Sequence, residues 1–221
     1  MNGPAAAVGL GYGSLPCACT RSPSEPPVLV AVTGGPGAGK TAALEMARRS
    51  LCRHAAFLPE AASIVFGGGF PRYASPAARR AAQRAIFAVQ RQLERLVVEE
   101  GRAALIVCDR GTLDGLAYWP DDEGSYWQDV GSSPAAELAR YAAVVHLQTP
   151  GEQQGYVQNG TRIESAAEAR AIDERIAHVW SPHPRRCVIA SEDDFFEKVR
   201  RALGELCALL PECCRARVAG E

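Results

Sequence analysis

Short apolar runs alternate with longer stretches of helical period along this chain of 221 residues. Val28 to Thr33 (VLVAVT) is continuous, apolar and valine-rich, the pattern of a strand buried on both faces. Similar runs recur at Ala55 to Leu58, Ala103 to Cys108, Tyr141 to Leu147 and Arg186 to Ala190. Between them the period lengthens. Thr41 to Leu51 predicts a helix, and Ala82, Ile86, Val89, Leu93 and Val97 mark one face of a long one from Pro76 to about Glu100, closed by Gly101. Glu164 to Trp180 predicts an arginine-bearing helix and Asp194 to Leu210 a final amphipathic one. Gly67 to Ser75 (GGGFPRYAS) reads as a mobile loop by composition. Strands alternating with helices predict an α/β fold, a parallel sheet with helices on both faces.

Composition changes this picture little. Hydrophobic residues make up 47% and charged residues 22%, ordinary for a globular protein with one sizeable core. The net charge of −1 offers no broad basic field, so no nucleic-acid partner is expected. No apolar stretch approaches the ~18 residues of a transmembrane segment. Residues 1–27, broken by Gly and Pro and lacking a basic start, read as a disordered leader rather than a signal peptide. The domain is expected over 28–210, with 211–221 a tail. The eight cysteines show no C-x-x-C pair and no Cys/His spacing of a zinc site, and a reduced, cytoplasmic setting fits them best. Cys108 reads as a buried thiol, and the vicinal Cys213 and Cys214 receive no role. Lysine occurs only at Lys40 and Lys198, which makes Lys40 conspicuous in an arginine-rich chain.

Lys40 belongs to the strongest local signal, Gly34-Gly35-Pro36-Gly37-Ala38-Gly39-Lys40-Thr41, which satisfies G-x-x-x-x-G-K-[ST] between a predicted strand and a predicted helix. Such a loop wraps a polyphosphate with inward N–H groups, and the helix behind it adds its positive end. ATP or GTP with Mg²⁺ is therefore expected here. Lys40 would bridge the β- and γ-phosphates, and Thr41 would bind the metal.

Asp109 ends an apolar strand, where an acid can hold Mg²⁺ through water or take a proton from an acceptor hydroxyl. Arg110 beside it would offset phosphate charge. Asp114 follows one turn later, as a cleft residue or as an acid at a helix start. Glu60 stands at the carboxyl end of the second strand, at the rim where open α/β sheets bind ligands; it is an alternative base or a helix cap. Gln90 and Glu94 line an acceptor pocket or, more simply, form a solvated face. The segment Gly155 to Arg170 leads from an Asn-Gly turn to Arg162 and Glu164, which suits a phosphoryl-transfer lid with Arg162 the first candidate and Arg170 the second. The stretch from Tyr118 to Gly131 carries Trp119, Tyr126 and Trp127 among acids and either covers a ring-bearing acceptor or packs locally. His146 reads as a satisfied core residue and His183 as part of a turn. The guanine-reading Asn/Thr-Lys-x-Asp motif does not occur.

The stretches GGPGAGKT (34–41), LPEAA (58–62), IVCDRGTLDGLAYW (106–119), YAAVVHLQT (141–149) and QNGTRIESAAEARAIDERIAHVWSPHP (158–184) resemble a family of single-domain AAA-type P-loop proteins. That family groups with the ribosylnicotinamide-kinase domain of NadR and with photoreceptor-channel translocation-defect proteins. The resemblance implies a nucleoside/nucleotide-kinase-like fold with a five-stranded parallel sheet and a lid, and a catalytic set of Lys40, Thr41, Asp109, Arg110 and Arg162. It implies an ATP-dependent kinase of a small hydroxyl acceptor of nucleoside or ribosyl type. The alternative it carries is a nucleotide-dependent trafficking or regulatory protein that binds phosphoinositide or protein partners. The glycine-rich 67–69 loop and the acidic-aromatic stretch near 121–130 depart from the clearest kinases.

Overall fold

Apolar residues at consecutive strand positions, rather than at alternate ones, require a sheet covered on both sides, and that is the arrangement found. The computed structural model describes residues 10–17, 25–150, 166–190 and 194–215. The strands are β1 (Gly11–Tyr12), β2 (Val28–Thr33), β3 (Ala55–Leu58), β4 (Leu105–Asp109), β5 (Ala143–Leu147) and β6 (Arg186–Ile189). They lie in the order β1-β3-β4-β2-β5-β6. All neighbours pair in parallel except β1, which runs antiparallel to β3.

The helices are α1 (Lys40–Ser50), α2 (Ala61–Gly67), α3 (Pro76–Glu100), α4 (Glu123–Val130), α5 (Pro134–Leu138), α6 (Ala166–Val179), α7 (Phe195–Leu209) and α8 (Glu212–Arg215). A 3₁₀ segment spans Thr112–Tyr118. The long helix begins where Ser75 accepts from the Ala78 N–H with Pro76 in its first turn, and Gly101 ends it in the left-handed conformation. On one sheet face, Val30, Val32, Leu105 and Val107 pack with Ala43, Ala47, Val199 and Leu206 of α1 and α7. On the other, Ala31, Ile106 and Cys108 pack with Val97, Leu113, Ile176 and Trp180. Cys108 is the buried thiol expected of it. Among the described residues no helix is long and apolar enough to cross a membrane.

Two expectations need correction. The sheet has six strands, not five, because residues 10–17 of the expected leader join it. Gly11 and Tyr12 pair with Phe57 and Ala56, and the Gly13 N–H donates to Ala55 O at 2.8 Å. This covers backbone groups of β3 that would otherwise form an open sheet edge. Two paired residues are too short a run to show a period. At the other end, residues 212–215 of the expected tail form α8 and bury Cys214. The acidic-aromatic stretch is also more ordered than a loop: Asp122 caps α4 by accepting from the Ser125 N–H, and Gly131 closes it.

Candidate functional site

The chain leaves β2 at Thr33 and turns through the glycine loop into α1, as the motif requires. Gly34 has φ 135° and Gly39 φ 91°, both outside the range that side chains favour. A Cβ on Gly34 would also lie 2.0 Å from Leu147 O, so β5 holds the loop against the sheet. Lys40 is buried, and its Nζ donates to Gly34 O at 2.8 Å and Gly35 O at 2.9 Å. Burial, with the Arg110 charge adding to it, lowers its pKa to about 8 against the opposing pull of Asp109, Glu60 and Asp114.

Asp109 ends β4 beside β2. Burial pushes its carboxyl up to about 6, against the attraction of Lys40. Its Oδ1 is buried without a hydrogen-bond partner. A buried acceptor with no donor, next to a phosphate-binding loop, suits a cation or its water shell. The orphaned Asp109 oxygen therefore fits a divalent cation such as Mg²⁺.

The next residue departs from ordinary backbone. Arg110 is the one non-glycine among the described residues with positive φ, 72°, a conformation costing roughly 1–2 kcal/mol. That turn aims its guanidinium back over the loop. Nε donates to Glu60 Oε1 at 2.6 Å, and Nη1 to Gly34 O at 3.2 Å and Asp114 Oδ1 at 3.3 Å. Burial works to raise the Glu60 pKa, but Arg110 and the Ser63 hydroxyl outweigh it and hold the carboxyl below its usual range. Glu60 sits at the N-cap of α2 without making a side-chain cap bond, so pairing with Arg110 is its observed role.

Asp114 is fully engaged. Its Oδ1 accepts from Thr33 Oγ1 as well as from Arg110, and its Oδ2 accepts from the Gly111 N–H and Trp180 Nε1, each at 3.0 Å. It ties the start of the 3₁₀ segment to β2 and to Trp180, just past α6, and holds Arg110 in place.

A cleft of about 1350 Å³ opens in front of these groups. The glycine loop and Lys40 line one side, and α2, α3 and the 3₁₀ segment the other. Glu60 and Arg110 face it. The solvated face expected at Gln90 and Glu94 is not what the structure has. Gln90 is 3% exposed and lines the cleft; Glu94 is fully buried behind it. Glu94 accepts from Gln90 Nε2 at 2.8 Å and the Tyr141 hydroxyl at 2.7 Å, and pairs with Arg140. The apolar stripe read on α3 tells which residues share a face, not that a second, polar stripe meets a cleft. Gln83, about two turns before Gln90 on α3 and absent from the sequence reading, lines the same wall. Phe87, Trp119 and Tyr126 add aromatic surface there, with the Trp119 and Tyr126 rings 5.2 Å apart.

The other residue missed by sequence reasoning is Asp173 of α6. It accepts from the Gly35 N–H at 2.6 Å, from His146 Nε2 at 2.9 Å and from the Thr149 N–H at 3.1 Å, clamping the loop to β5 and α6. The buried His146 is thus partnered at Nε2, but its Nδ1 is buried without a hydrogen-bond partner, so it is satisfied only in part. His183 Nε2 donates to Tyr141 O at 2.8 Å. The lid candidate Arg162, with Glu164, lies outside the described residues. Arg170 is exposed on α6 and is not part of the cleft wall, whereas Arg175 is.

No curated protein sequence matches the chain. Solved structures of similar fold include deoxyadenosine kinase from M. mycoides with products dCMP and a flexible dCDP bound, at TM-score 0.55 and 12% identity, covering 82% of this chain and 100% of that one. They also include NadR in complex with NR, at TM-score 0.62 and 14% identity over 83% of this chain and 52% of NadR. NadR in complex with NAD and AMP-PNP gives TM-score 0.55 and 14% identity over 83% of this chain. The chain spans about half the length of NadR, 52% and 49% in the two complexes. At these identities the likeness is one of fold. A family model described as an AAA domain, AAA_28, matches residues 29–198, from the first residues of β2 into α7. With its glycine loop, its buried lysine and its kinase-like sheet, the chain belongs to that family, as a P-loop NTPase related in fold to NadR.

Proposed function

We propose that this chain is a Mg²⁺-dependent kinase that moves the γ-phosphoryl group of ATP or GTP to a hydroxyl of a nucleoside or ribosyl acceptor. The observation that carries this reading is the Glu60–Arg110 ion pair, 2.6 Å, on the cleft wall facing the glycine loop. A protein that only bound and slowly hydrolysed a nucleotide would need no ionised carboxylate on a cleft whose far wall is lined by Phe87, Trp119 and Tyr126. The NR of the NadR complex and the dCMP of the deoxyadenosine kinase support a ring-bearing acceptor. Gln83 and Gln90 supply amide donors and acceptors for such a ring, and Trp119 and Tyr126 its apolar wall.

The roles divide by position. Asp109 lies beneath the cleft surface near Lys40 and would hold Mg²⁺ with Thr41; the ion, when bound, neutralises charge on the phosphate oxygens. Glu60 is ionised and faces the cleft, so it takes the acceptor hydroxyl proton. The acceptor oxygen bonds to the γ-phosphorus as the bond to the bridging oxygen breaks, and that electron pair leaves with the nucleoside diphosphate. Lys40 and Arg110 hold positive charge against the transferring group.

The test is transfer of label from γ-labelled ATP and GTP to nucleosides, deoxynucleosides and NR, with Lys40→Ala as the blank. Glu60→Gln is expected to reduce turnover by roughly 10²–10⁴-fold while nucleotide binding persists. Unchanged turnover in Glu60→Gln would remove it as the base. Nucleotide binding with no labelled acceptor would favour a regulatory protein that engages a phosphoinositide or protein partner.

A further inference from the structure

At the pole of the sheet opposite the glycine loop, three segments remote in sequence bring sulfur and nitrogen atoms together. Cys17 follows β1, Cys52 and His54 precede β3, and Cys214 lies in α8. Their ligand atoms, three Sγ and one imidazole nitrogen, all lie within 4.8 Å of one another. Cys17 and Cys214 Sγ are 3.8 Å apart; His54 Nδ1 is 3.6 Å from Cys214 Sγ and 3.9 Å from Cys52 Sγ. The three cysteines are buried and His54 is half-buried.

From this geometry we infer a structural zinc site, Cys₃His, formed by Cys17, Cys52, His54 and Cys214. A tetrahedral ion with bonds of about 2.3 Å to sulfur and about 2.0 Å to nitrogen sets sulfur–sulfur edges near 3.8 Å and sulfur–nitrogen edges near 3.5 Å. The three edges given above match these within a few tenths of an ångström, and the other three are no longer than 4.8 Å. Three thiolates and an imidazole in a closed, four-coordinate set are the ligands of structural zinc. The compactness speaks against an iron–sulfur cluster, whose ligands must spread around more than one iron.

The sequence reading found no zinc spacing because the ligands form no motif. Cys17 and Cys214 are 197 residues apart, and only Cys52-x-His54 is local. Backbone bonds aim the set. Arg53 N–H donates to Leu15 O at 3.1 Å, Ala55 N–H to Cys52 O at 2.9 Å and Cys214 N–H to Pro211 O at 2.8 Å. Arg53, between the two local ligands, is exposed, which turns Cys52 and His54 to the same side. The ion would staple the N-terminal segment and α8 to the start of β3, a strand's length from the phosphate loop. Binding releases the thiol protons and adds its free energy to folding.

The experiment uses the full chain, purified under reducing conditions without chelator. Elemental analysis should find about one zinc per chain. Cobalt(II) in place of zinc should give the intense visible d–d bands and near-ultraviolet thiolate charge-transfer bands of a tetrahedral sulfur-rich site. Cys52→Ser with Cys214→Ser should abolish both, whereas Cys19→Ser and Cys213→Ser should leave both. Should the double variant prove insoluble, the cobalt spectrum of the unsubstituted chain decides by itself. Zinc no higher than the buffer blank with no cobalt spectrum, zinc retained by the double variant, or a Cys17–Cys214 disulfide by mass spectrometry in protein isolated under reducing conditions would each overturn the assignment.

Discussion

Replacing Asp173 by asparagine keeps the shape of the clamp under the glycine loop and removes its charge. The wild-type carboxylate is 12% exposed and accepts three N–H groups, two at Oδ1 and one at Oδ2. An amide has a single acceptor oxygen, so in either orientation at least one N–H meets an NH₂ group and is left unsatisfied. Hydrogen bonds to a charged partner contribute about 1.5–3 kcal/mol each, so losing one and weakening the others costs about 3 kcal/mol. For a chain of this size that is a Tm fall of roughly 6–12 °C. Urea unfolding at neutral pH measures it as a lower midpoint at unchanged slope. The pH dependence adds a check of sign. Burial alone would raise the Asp173 pKa, but the His146 hydrogen bond and charge and the two backbone donors hold it below its ordinary value. The stability it contributes is complete above the unfolded value near 3.9 and is lost as pH falls through the lower folded value. The gap between wild type and variant should therefore narrow in acid below about 4. A loss under about 1 kcal/mol at neutral pH, or a gap that grows in acid, would refute the clamp.

Three further outcomes follow from the same geometry. In Gly35→Ala the new methyl would stand 2.5 Å from Thr149 Oγ1 and 2.9 Å from Ala169 O; calorimetry should show about 1–3 kcal/mol of destabilisation, and Gly67→Ala, with nothing within 4 Å, none. Arg110→Ala leaves Glu60 and the buried Asp114 without their shared cation, and urea unfolding should register a loss of about 3–5 kcal/mol together with loss of turnover. Nucleotide–Mg²⁺ affinity, followed by titration calorimetry, should be greatest between about pH 6 and about 8. Asp109 must be ionised to hold the metal and Lys40 protonated to meet phosphate, so affinity declines below the first value and above the second. A flat profile from pH 5 to 9 would remove one or both residues from the binding site.

The parts of the site legible in the sequence are those whose residues adjoin in the chain. The glycine loop, Lys40 and Thr41 form one continuous segment, and Asp109-Arg110 ends a strand that announces itself by composition. Glu60 was readable as a rim residue because it follows β3 by two positions. Its pairing with Arg110 was not readable, nor was the left-handed turn at Arg110 that makes it. Gln83 escaped, and Gln90 stayed undecided between pocket and solvent, for a different reason: a polar stripe on an amphipathic helix looks the same facing solvent or a cleft.

The sequence by itself determined the alternation of strands and helices, the two-sided burial of the sheet and the phosphate loop. Each rests on local backbone bonding and on whether one element's faces are apolar, and both are written in short-range periodicity. Only the tertiary structure decided which polar groups meet. The strand order sets β4 and β5 on either side of β2, so Asp109 and the Asp173-bound end of β5 converge on one loop. The same long-range packing adds β1 at the edge and gathers Cys17, Cys52, His54 and Cys214 at the opposite pole. Contacts across 138 or 197 residues leave no spacing in the chain, because the distance between such groups is set by how whole elements pack and not by the residues between them.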